Sequence, residues 1–172
     1  MKRSVCASAT ILALGLALAS LGGCAGTKAE PTPPKPTSTE PATAASQVIS
    51  AEILAREPLA NTATVKHILI SWNDLADNFQ GHLDARAAKR SKADAEAEIR
   101  SLVKQLQGGA DFDALMKAHS EDTSSAMSAR TFTVTPDAQL VIEFRQLSLR
   151  LKVGEFGVCQ SDFGFHIIKR VS

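Results

Sequence analysis

Two short runs decide the reading of this chain: Val65-Lys66-His67-Ile68-Leu69-Ile70 and Phe163-Gly164-Phe165-His166-Ile167-Ile168-Lys169. Each is rich in β-branched and aromatic residues, and each carries one histidine. About a hundred residues separate them, yet segments of this kind meet as neighbours in a sheet. Two imidazoles on adjacent central strands would place two neutral hydrogen-bonding groups on one apolar floor, a setting for binding or catalysis. By period-two alternation Leu69 shares the face of His67.

Between the two runs the pattern turns helical. Ser91 can cap a helix, with Asp94 three residues on, and Ile99, Leu102, Val103 and Leu106 form its buried stripe before Gly108-Gly109 stops it. Asp111 can cap a second helix, with Phe112, Leu115 and Met116 on one face and His119 continuing that face as a core residue. Thr135-Pro136-Asp137 is expected to open another helix, proline first, with Leu140, Phe144, Leu147 and Leu151 along its buried side. Closing strands near 155–161 and 165–171 are joined by a turn at 162–164. Ile49, Ile53 and Leu54 allow one further short helix, ended by Glu57-Pro58. The sum is an α+β domain: a small antiparallel four-stranded sheet surrounded by about four helices. The polar connection 73–90 contains Arg86, Lys89 and Arg90, read as a solvated basic cluster. His82 is expected at the surface of that connection.

The amino terminus has a different character. Lys2 and Arg3 precede an apolar stretch from Ile11 to Leu21, followed by Leu21-Gly22-Gly23-Cys24, a secretory leader too short to span a bilayer comfortably. This ending resembles a bacterial lipobox, which implies that residues 1–23 are removed and that Cys24 becomes the lipidated first residue. Ala25 does not supply the aspartate of the retention rule, so the outer membrane, facing the periplasm, is the expected site. Residues 24–46, with Pro31-Thr32-Pro33-Pro34-Lys35-Pro36, read as a disordered tether, 47–62 as a connecting segment and 63–172 as the folded domain. Cleavage would leave 17 of the 19 basic residues against 18 acidic ones, a formal charge of −1 and no basic footprint for nucleic acid. With Cys6 in the leader and Cys24 lipidated, Cys159 stands alone, a small buried hydrophobe with no disulfide partner.

Taken with Gly109-Ala110-Asp111-Phe112, His119-Ser120-Glu121-Asp122 and Leu151-Lys152-Val153-Gly154-Glu155, the two histidine runs and Ser91-Lys92-Ala93-Asp94-Ala95 resemble the parvulin (rotamase) family of peptidyl-prolyl cis/trans isomerases. The resemblance covers about Thr64 to Val171. It implies that His67 and His166 are the central histidine pair, that Ser161 supplies a strand hydroxyl to them, and that Asp122 lies beside the substrate amide. It further implies a proline pocket of Leu140, Phe144 and Phe132, with Leu69 supporting the floor. No cofactor is implied, and no metal: His67, His166 and Asp122 lack a His-x-x-x-His spacing or a carboxylate cluster around them. A Ser/His/Asp hydrolase is disfavoured, because there is no Gly-x-Ser-x-Gly elbow. The expected partners are proline-containing exported or unfolded polypeptides and, through the lipid, a membrane. The sequence departs from the family at Ala129-Arg130-Thr131-Phe132-Thr133, where the family has glycines. Losing those permissive positions allows an alternative: a parvulin-fold chaperone or peptide-binding module with little turnover.

Overall fold

The computed structural model describes residues 47–172. The expected leader, Cys24 and the tether through Ser46 lie outside the described residues. Four strands, β1 (Ala63–Ile70), β2 (Phe132–Val134), β3 (Phe156–Ser161) and β4 (Gly164–Arg170), form one antiparallel sheet in the order β2-β1-β4-β3. The two histidine-bearing strands are therefore the central pair. Each is flanked on both sides, which is why both read as nearly continuous apolar runs rather than as clean alternations.

Each sheet face builds its own core. Ile68, Ile70, Val158, Phe165 and Ile167 project to one side, against α2 (Lys92–Gln107) and α3 (Phe112–His119). The other side presents Val65, Ile168 and Cys159 to α5 (Ile142–Arg150) and to Ile53 of the one-turn helix α1 (Ala51–Leu54). The helix signals for α2 work as read: Ser91 and Asp94 form a reciprocal capping box, and Ala95, Ile99, Leu102 and Leu106 are buried. Asp111 caps α3 through the Ala114 N–H at 2.8 Å. Burial pushes the Cys159 thiol up to about 12, keeping it an inert core residue. Segment 47–56 packs onto the domain: Ser50 bonds Val158 of the β3 edge through backbone and hydroxyl, both at 2.9 Å, and Arg56 pairs with Glu155 at 2.8 Å.

Three expectations need correction. The helix expected from Thr135 begins only at Ile142; Thr135-Pro136-Asp137 instead forms a turn, closed by the Ala138 N–H on the Thr135 carbonyl and a Thr135–Asp137 side-chain bond of 2.6 Å. Asx and hydroxyl side chains that can cap a helix serve a turn equally well, and here the turn wins. A one-turn helix, α4 (Thr123–Met127), joins the expected set, and the connection 73–90 contains two 3₁₀ stretches, Asn73–Phe79 and Ala87–Lys89. His119 is not a core residue: its side chain is 36% exposed and lies 3.2 Å from Glu98. His82 is exposed, as expected.

Candidate active site

The register places the two histidines diagonally across the central pair. His67 faces Ile168 and His166 faces Leu69, so both imidazoles stand on the α5 side of the sheet. Their rings stack at 5.5 Å, with 18° between planes, and Nδ1 meets Nδ1 at 3.2 Å. Two more side chains complete a line. Asp122 Oδ2 lies 3.0 Å from His67 Nε2, and Ser161 Oγ lies 2.8 Å from His166 Nε2 and accepts the Phe163 N–H at 3.1 Å.

Only one hydrogen order satisfies every member with both rings neutral. The Phe163 amide donates to Ser161, the Ser161 hydroxyl to His166 Nε2, His166 Nδ1–H to His67 Nδ1, and His67 Nε2–H to the Asp122 carboxylate. The line runs from a neutral buried end to an anionic, solvent-reaching end. Burial, reinforced by the neighbouring His67, pushes His166 down to about 3, against the opposite pull of Asp122. Asp122 is held well below the usual carboxylate range, first by the hydrogen bond from His67 and then, against the cost of its burial, by bonds from Ser125 and Ser124. Its two oxygens divide the work: Oδ1 accepts the Ser125 N–H at 3.1 Å and the Ser124 hydroxyl at 3.0 Å to cap α4, which leaves Oδ2 for His67.

An apolar wall flanks this line. Phe132 and Phe144 meet His67 edge-on at 5.2 and 5.3 Å, lie 5.9 Å from each other, and Phe144 also meets His166 at 5.6 Å. Phe144 is buried while Phe132 is half-exposed, so the wall has an open side. Leu140, half-buried, packs on the same cluster from the segment before α5 rather than from one helical turn below Phe144. Leu69 is buried on the histidine face, and its backbone binds the 120–121 segment: Leu69 N–H to Ser120 Oγ at 3.1 Å and Glu121 N–H to the Leu69 carbonyl at 2.9 Å. Among the described residues no group of three or more His, Cys, Asp or Glu is placed to hold a metal ion.

The sequence reading missed the residues that hold Asp122 in place. Arg90 turns inward, its side chain only 11% exposed, whereas Arg86 and Lys89 stay at the surface as expected. Arg90 bonds Glu121 at 2.5 Å, Glu98 at 2.9 Å and the Ser71 carbonyl at 2.9 Å, while Glu121 also accepts the Ser71 N–H at 2.6 Å. Burial dominates at Glu121 and raises its pKa, although Ser71 and Arg90 pull the other way. Arg86 donates to the carbonyls of Ala118, His119 and Ser120. Position alone cannot distinguish such arginines from solvated ones; the carbonyls that Arg86 binds lie 32 to 34 residues away, and the Ser71 carbonyl that Arg90 binds lies 19 away.

The sequence profile of the PPIC-type PPIASE domain matches residues 51–171, the stretch that carries every element just described. The chain belongs to the parvulin family. Among curated relatives of this parvulin domain, the chaperone SurA of Nitrosospira multiformis is 33% identical over 105 residues, 60% of this chain and 20% of that protein. The foldase protein PrsA of Geobacillus kaustophilus is 28% identical over 112 residues, 64% of this chain and 40% of that protein. The chain thus spans well under half the length of these curated relatives. Two solved structures share the fold at 20% identity. TbPIN1 superposes with a TM-score of 0.55, covering 66% of this chain and 100% of that one. The peptidyl-prolyl isomerase ESS1 from Candida albicans superposes with a TM-score of 0.53, covering 65% and 63%.

Proposed function

We propose that this protein accelerates cis/trans isomerisation of X-Pro bonds in exported polypeptides, by twisting the amide without covalent chemistry. The observation that carries the reading is the hydrogen-bonded line from Asp122 through His67 and His166 to Ser161, set against the Phe132–Phe144 wall. Rotation about an X-Pro bond faces a barrier of about 18–20 kcal/mol because the planar amide is resonance-stabilised. The planar form carries negative charge on the carbonyl oxygen; the twisted form returns that density to nitrogen. A fixed carboxylate at Asp122, beside a proline seated on Phe132, Phe144 and Leu140, penalises the planar form more than the twisted one. The histidine pair holds that carboxylate in place through the contact from His67 Nε2, with His166 behind it. A barrier lowered by about 5.5 kcal/mol gives roughly 10⁴-fold acceleration.

The leader ending Leu21-Gly22-Gly23-Cys24 supports a lipid anchor at Cys24 in a bacterial envelope, with the outer membrane and a periplasm-facing domain as the location. The relatives named as a chaperone and a foldase support folding of exported chains as the task. Among the described residues no helix is long and apolar enough to cross a membrane. One observation favours a second reading, peptide holding with little turnover: Ala129 stands at φ +48° where the family has glycine, so the loop beside Asp122 is strained. NMR exchange on an Ala-Pro peptide separates the two. The full chain is expected to raise the exchange rate, and His67→Ala and Phe144→Ala to lower it about tenfold or more. Binding without faster exchange establishes the second reading. An unchanged rate in both folded variants removes the site assignment.

A further inference from the structure

The mouth of the apolar wall carries a charge that the isomerase chemistry does not use. The Arg130 guanidinium sits over the Phe132 ring, 5.0 Å from its centroid, and Phe132 in turn meets His67 edge-on at 5.2 Å. Arg130 is exposed. Every other arginine among the described residues is occupied by a carboxylate or a backbone carbonyl. Arg130 alone among them makes only the ring contact, which leaves its five N–H donors without a protein partner. Asp122, the acidic group of the site, is already committed to His67, Ser124 and Ser125 and does not neutralise it.

A free, planar, permanently charged donor anchored on the wall of a proline pocket is suited to grip a carboxylate next to the proline. We propose that Arg130 is a specificity-determining residue, which makes this site prefer X-Pro segments with an acidic side chain adjacent to the proline. The stacking on Phe132 restricts the guanidinium to one side of the pocket, so the carboxylate pairs with it only when the proline is seated. The same exposed position limits the gain. An exposed ion pair of this kind gives a preference of about two- to five-fold, screened by salt.

The inference rests on the isomerase reading, and the test keeps the two apart. NMR exchange rates and dissociation constants are measured with the full chain for blocked peptides that differ only in alanine or glutamate, immediately before or after the proline. The glutamate-to-alanine ratio of kcat/KM is expected to be about two to five in at least one of the two positions at low salt. It should fall towards one in Arg130→Gln and in about 1 M salt, and below one in Arg130→Glu. A ratio of one in both positions, or a ratio that Arg130→Gln leaves unchanged, overturns the proposal. If no peptide exchanges faster, the isomerase reading fails, and the ratio of dissociation constants judges Arg130 by the same criteria. Circular dichroism of both variants excludes misfolding as the cause.

Discussion

At His166 a titratable ring is kept neutral inside the sheet, and stability depends on that. The folded protein holds this imidazole down to about 3, whereas the unfolded chain protonates it near 6.5. Above pH 6.5 both states leave the ring neutral and nothing is lost. As pH falls from 6.5 towards 3, the unfolded state gains a proton that the folded state refuses, so stability declines, by roughly 3 kcal/mol between pH 7 and pH 4. Asp122 acts in the same direction lower down: its depressed pKa stabilises the fold above its ordinary 3.8 and is lost in stronger acid. Urea unfolding at a series of pH values checks this. His166→Gln is expected to flatten the slope between pH 6.5 and 4.5 relative to the parent, and equal slopes would rule the account out. At this scale the residues expected at the site come together in space. His67, His166, Ser161, Asp122, Phe132 and Phe144 all meet: β-register fixes the faces of the strand residues, whereas Asp122 at the α4 cap and Phe144 on α5 were expected there only from the family resemblance. Arg90 and Glu121 were not legible, since nothing local distinguishes a charge that finds a distant buried partner from one that stays in water.

Among the elements, the link from α4 to β2 carries a conformational cost. Ala129 lies in the left-handed region at φ +48°, which a non-glycine residue occupies at about 1–2 kcal/mol. Glycine would remove that strain but enlarge the freedom of the unfolded chain. Ala129→Gly is therefore expected to raise stability by about 0.5–1 kcal/mol, read as a higher urea midpoint at unchanged slope; no gain would mean that the loop relaxes by another route. The β3–β4 hairpin shows the opposite situation, with glycine where it is needed. Gly164 stands at φ +133°, and a Cβ there would lie 2.5 Å from the Ile70 carbonyl oxygen. This close approach brings the hairpin turn against the end of β1, where the Ser71 hydroxyl donates to the Phe163 carbonyl at 2.6 Å. The capped helices α2 and α3 were readable from sequence, whereas the Thr135-Pro136-Asp137 turn was not, because the same residues serve both structures.

Across the whole molecule, one sheet is shared by two cores. Trp72, the single tryptophan in a chain without tyrosine, is buried in the α2–α3 core, while Leu147 is fully buried under α5 on the far face. Leu147→Ala removes packing on the far side only, at a cost of about 2–5 kcal/mol. Because β1 and β4 belong to both cores, Trp72 fluorescence and far-ultraviolet circular dichroism are expected to report the same shifted urea transition. Separate transitions would show that the two cores unfold independently.

The sequence by itself determined the α+β class, the two histidine-bearing strands and the capped helices α2 and α3, and its resemblance to a family pointed to the histidine, acid, hydroxyl and aromatic residues that meet. Periodicity, capping chemistry and the order of motifs are local properties that survive without a fold. Only the tertiary structure decided which arginines among the described residues are committed and which one is free, why Leu140 reaches the pocket from a turn, and that Asp122 divides its two oxygens between a helix cap and a histidine. Each of those depends on groups far apart in the chain. Their energies are set by burial and by the partners that burial brings within reach.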